Sequence, residues 1–79
     1  VAVLRSLRQG TKKFRLHPTR VDGEWSVVSD SSSGVLFQLT TFGSDERVSE
    51  PKPSQTIQLD ADMARELIAA LRATFGSLE

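Results

Sequence analysis

The 79-residue chain has no cysteine and no tyrosine, one histidine, one tryptophan and three prolines. Without thiols it can form neither disulfides nor thiolate zinc sites. The single histidine, His17, has no second imidazole and no HExxH spacing around it. Metal binding and histidine-assisted nucleophilic catalysis are therefore not expected, and His17 reads as a plain surface or strand-end residue. No apolar run approaches the roughly 20 residues of a membrane-spanning helix. The opening VAVLRSL is too short for a signal peptide and lacks a small-residue cleavage site. The five glycines are scattered, so no phosphate cradle of the glycine-rich type exists. Asp45, Glu46 and Glu50 are flanked by Gly, Ser and Pro, which favours a solvated loop over a buried acid–base pair. These absences leave no catalytic residue, no metal ligand and no cofactor to name, and the expectation is a non-enzymatic protein. The lack of cysteine is consistent with a reducing cytoplasm, the expected location, with no membrane partner.

What is present is a strand, a cap and a helix in residues 54–75. Gln55, Ile57 and Leu59 alternate with Ser54, Thr56 and Gln58, the period of a half-buried strand. Asp60 stands at the N-cap position, where a carboxylate accepts from free N–H groups of the first turn. Met63, Leu67, Leu71 and Phe75 follow at intervals of four, with Ala64 and Ile68 beside them, as one apolar stripe on a helix. Gly76 then sits where a left-handed residue ends the helix.

Upstream, residues 24–29 and 34–41 read as two strands joined by a serine-rich turn, so a hairpin is the default. Val21-Asp22-Gly23 reads as a turn that uses glycine at positive φ. Phe14 and Leu16 alternate with Lys13 and Arg15, which is strand-like over residues 11–17. Residues 1–10 read as a short strand or a flexible lead. Residues 42–53 carry two prolines, two serines and alternating charges, which predicts a long surface loop. The whole is one small domain, 1–79. Its fold class is α+β: an antiparallel sheet of about four strands with one C-terminal helix packed on one face. Phe14/Leu16, Trp25/Val27, Val35/Phe37/Leu39 and Ile57/Leu59 are expected to share the face under the helix. Lys13, Arg15, Ser26, Gln38, Thr40, Thr56 and Gln58 are then left on a wet, polar face. Among these, the glutamine amides are expected to bond across strands. The core of such a chain is thin and its sheet has open edges, so a homodimer is expected.

The zero net charge conceals a split. Residues 1–20 hold six Lys/Arg and no acid, whereas residues 21–79 hold four Lys/Arg and ten acids. Such asymmetry suggests a basic segment that meets something acidic: single-stranded nucleic acid, an acidic protein, or acids of its own chain or a second copy. Arg8, Lys12, Lys13, Arg15 and Arg20 are the candidate contacts, with Arg47 and Lys52 adding charge from the long loop. Phe14 and Trp25 are either stacking platforms for bases or core rings. Their position on the apolar phase of their strands favours the core. The leading expectation is a binding module that contacts nucleic acid through the basic segment and the polar sheet face. The alternative is a protein–protein adaptor or small regulatory subunit acting as a homodimer.

Phe42-Gly43-Ser44, Arg47, Ser54-Gln55-Thr56-Ile57-Gln58, Asp60 and Phe75 form a pattern over the last half of the chain. It resembles that of a group of short, uncharacterised bacterial proteins, which implies no particular activity. The order of several strands followed by one C-terminal helix is also similar in topology to the single-stranded-DNA-binding transcriptional coactivators. That likeness implies a dimer whose strands grip nucleic acid, although the chain lacks the dense lysine content and positive charge of those proteins.

Overall fold

The strongest alternation in the sequence becomes the centre of the sheet. A computed structural model describes residues 1–32, 34–43 and 53–78. It contains β1 (Ala2–Val3), β2 (Gly23–Asp30), β3 (Gly34–Phe42), β4 (Pro53–Leu59) and α1 (Ala61–Phe75). The fold is α+β, a four-stranded sheet in the order β1-β4-β3-β2 with one C-terminal helix. β2 and β3 form the expected antiparallel hairpin, in register from Gly23↔Thr41 to Asp30↔Gly34. Gly34 closes its turn at φ 76°, a conformation that side chains with a Cβ resist. Ser32 Oγ donates to Asp30 Oδ2 at 2.8 Å across the same turn. β3 pairs antiparallel with β4, and a bulge at Ser54 separates Thr41↔Gln55 from Phe42↔Pro53. Ser54 Oγ lies 3.0 Å from Thr41 Oγ1, which ties the extra residue back to its neighbour strand.

Three expectations need correction here. The sheet is mixed and not fully antiparallel, because β1 runs parallel to β4, with Ala2↔Ile57 and Val3↔Gln58. The Leu4 N–H extends this ladder to the Gln58 carbonyl at 2.8 Å. The alternating segment 11–17 forms no strand: Phe14 and Leu16 are 86% and 90% exposed. Alternation alone cannot make a strand when no neighbour supplies hydrogen bonds. Gly23 has no positive φ and opens β2 instead of making a turn, while the Asp22 carbonyl accepts from the Phe42 N–H at 3.0 Å. The expected loop 42–53 is shortened at each end by a strand residue, and its residues 44–52 lie outside the described set.

The helix begins and ends where the sequence implies. Asp60 Oδ1 accepts from the Met63 N–H at 2.9 Å, and the Asp60 carbonyl accepts from the Ala64 N–H at 2.9 Å. At the other end the Gly76 N–H donates to the Arg72 carbonyl at 2.8 Å with φ 82°. Arg65 and Asp62 form an exposed i,i+3 ion pair, which stabilises the helix little.

The larger correction concerns the side of the sheet that is covered. Directly paired residues share a face, so Trp25, Val27, Val35, Phe37, Leu39 and Ile57 lie on one side, while Leu36, Gln38, Thr40, Thr56 and Gln58 lie on the other. α1 packs against β3 and β4. Burial falls on the second side: Leu36 and Thr40 are 8% exposed, and Gln38, Thr56 and Gln58 are half-buried. Leu59, the other buried hydrophobic residue among those described, pairs with Phe37 on the first side and is 5% exposed beside Asp60, where the chain turns into the helix. Away from Leu59 the apolar side is open. Trp25 is 67%, Val27 62% and Val35 67% exposed, with Phe37 and Leu39 also accessible. No residue of α1 is buried, and Ile68, Leu71 and Phe75 at its far half face outward.

Candidate functional site

The basic segment leaves the sheet after Leu4 and runs without regular structure to Val21. Pro18 suits this path, since it fixes φ and donates no hydrogen bond. Beside it, His17 Nδ1 lies 2.8 Å from Thr19 Oγ1 and accepts from the Thr19 N–H at 3.2 Å. The imidazole is thus exposed and engaged locally, in keeping with the plain surface role read from sequence.

Residues 7–9 lie along the helix. Leu7, Arg8 and Gln9 face Glu66, Leu67, Ala70 and Ala73 across an open groove of about 560 Å³. A smaller hollow of about 280 Å³ is lined by Arg8, Gln9, Gly10, Thr11, Lys12 and Phe14. Two candidate cations and the exposed Phe14 ring are therefore close together. Lys13, Arg15 and Arg20 are exposed on the same stretch. None of these five residues, nor Arg5, forms an ion pair among the described residues. Among the described residues, no acid of the same chain meets this segment. Arg47 and Lys52 lie outside the described residues.

The polar side of the sheet differs from expectation, since it is covered. Gln58 Nε2 donates to Gln38 Oε1 at 2.9 Å, Gln38 Nε2 donates to Thr40 Oγ1 at 3.2 Å, and Thr56 Oγ1 donates to Thr40 Oγ1 at 3.4 Å. The cross-strand glutamine bonds are present, but as a half-buried chain. No buried side-chain polar atom among the described residues lacks a partner. Lys13 and Arg15 do not join this face, because residues 11–17 are not in the sheet.

Sequence reasoning missed the open apolar face. Trp25 and Phe37 are diagonal neighbours on it, with ring centroids 5.7 Å apart and planes inclined by 19°. In full, the face presents Gly23, Trp25, Val27 and Ser29 from β2, Val35, Phe37, Leu39 and Thr41 from β3, Gln55 and Ile57 from β4, and Ala2 from β1, with Leu59 buried at one end of it. No charged residue is among them. Beside Ser54 and Gln55 lies a hollow of about 470 Å³, whose other walls include Ala2, Leu39, Thr41 and Ile57. It holds no titratable side chain. One signal was available in the sequence: Val28, Leu36 and Phe42 are apolar on the off phase of β2 and β3, so both sides of the hairpin have something to bury.

Among the described residues no group of His, Asp and Glu could hold a metal ion, and no helix is long and apolar enough to cross a membrane. The fold and surface define a small α+β protein with a mixed sheet, a free cationic segment and an uncovered apolar face. No family model, curated protein or solved structure matches the chain.

Proposed function

We propose that the chain is a non-enzymatic binding module whose N-terminal segment contacts single-stranded nucleic acid. The observation that carries this reading is the run of exposed cations from Arg5 to Arg20 without ion-pair partners among the described residues. Unpaired Lys and Arg gain by displacing counterions from a phosphate backbone. Phe14, 86% exposed beside Arg8 and Lys12, adds a ring on which a base can stack. The polar sheet face, being covered, takes no part. Arg8, Lys12, Lys13, Arg15 and Arg20 are the contacts.

Binding of a labelled single-stranded oligonucleotide, followed by anisotropy across a salt series, tests the proposal. The logarithm of affinity should fall linearly with the logarithm of salt, with a slope of about −0.7 for each phosphate neutralised. Replacing Lys12, Lys13 and Arg15 by Gln should leave the fold intact and flatten that slope by about 2. Absence of binding at low salt removes the nucleic-acid reading. Preference for an acidic polypeptide over the oligonucleotide at equal charge density would assign the same residues to an acidic protein, as in an adaptor.

A further inference from the structure

The geometry points to a second copy of this chain as the occupant of the open sheet face, packed face to face through Trp25, Val27, Val35, Phe37, Leu39 and Ile57. Three observations carry this assignment, and none depends on nucleic-acid binding.

The first is area. The chain exposes 7371 Å². A folded monomer of 8.7 kDa is expected to expose about 4,700 Å². The excess of about 2,600 Å² is shared with the extended segment and the helix, and the sheet face contributes Trp25, Val27, Val35, Phe37 and Leu39 to it. Obligate homodimers bury about 2,000–5,000 Å² in total, or about 1,000–2,500 Å² from each copy, which the excess on one chain can supply.

The second is chemistry. The face carries no charge, and its polar side chains are neutral. A nucleic-acid surface needs Lys or Arg, and this one has none. Sheets that pack face to face interdigitate apolar side chains in a layer about 10 Å thick. A neutral face meets a copy of itself with no like-charge penalty, as a two-fold interface requires.

The third is shape. Trp25, Leu39, Ile57 and Ala2 form one row across the sheet. Trp25 projects at the β2 end of that row, stacked on Phe37. The hollow of about 470 Å³ lined by Ala2, Leu39 and Ile57 lies at the β1 end. A two-fold axis in the plane of contact and parallel to the strands sets each tryptophan against the partner's hollow, which makes the row complementary to itself.

Trp25 is the only tryptophan in the chain and reports directly on this contact. Native mass should correspond to two copies. The Trp25 emission should be blue-shifted and protected from a soluble quencher, and both properties should be lost together on dilution. Val27→Glu and Leu39→Glu should each weaken self-association about 30-fold or more, the scale of a central interface residue. If these variants do not fold, the wild-type quenching measurement still decides. A one-copy mass at all concentrations overturns the assignment. So does a two-copy species in which Trp25 remains fully accessible, or one that both variants leave unchanged. Stoichiometric capture of a different protein on this face overturns it as well.

Discussion

Asp60 and Gly34 show single residues acting through the backbone. Asp60 satisfies the Met63 N–H, one of the orphan donors of the first helical turn. Asp60→Ala should cost about 1 kcal/mol, seen as a lower urea midpoint with an unchanged slope. In a chain with so little buried surface this is a large share of the total stability. Gly34 has open space where a Cβ would stand, so its requirement is purely one of φ. His17, the lone imidazole, bonds among the described residues to Thr19 at its own turn, and both Thr19 and His17 are exposed.

At the scale of elements, β3 is the strand on which both layers depend. It pairs with β2 and β4, and Leu36 on its covered side is one of two buried hydrophobic residues among those described. Leu67, on the helix stripe, is only half-buried. Leu36→Ala should therefore cost more than Leu67→Ala, about 2–5 kcal/mol against the low end of that range. Equal costs in thermal or urea unfolding would mean that α1 and not β3 carries the core. The helix and its caps were legible in sequence because their signals are local: an N-cap, a period of four, a terminal glycine. The β2–β3 hairpin was legible for the same reason. The segment 11–17 misled because alternation reports a preference and not a partner. β1 was open to either reading because two residues of parallel pairing leave no periodic trace.

At the scale of the molecule, the chain is more expanded than a closed monomer. Its radius of gyration is 14.8 Å, against about 11.6 Å expected for 79 residues. It hides about 40% of the surface of its extended chain, where small domains hide about 60%. A fold that gains its missing burial from a second copy should melt at a temperature that rises with protein concentration. A melting temperature independent of concentration would instead assign the stability to a single chain. The cationic segment and the apolar face are separate surfaces, one charged and exposed along the helix, the other neutral and on the far side of the sheet. Substitutions in one should leave the function of the other in place.

The sequence alone determined the helix with both its ends, the central hairpin, the α+β class and the concentration of positive charge before residue 21. Each of these is written in near neighbours along the chain. Tertiary structure decided which side of the sheet the helix covers, which residues pair with β4, and that the N-terminal cations find no acid of their own among the described residues. A hairpin with some apolar side chains on both faces, Leu36 and Val28 on one and Trp25 and Phe37 on the other, leaves the covered side open in the sequence. The helix lies on the side where Gln58, Gln38 and Thr40 bond to one another, and this leaves Trp25 and Phe37 in the open.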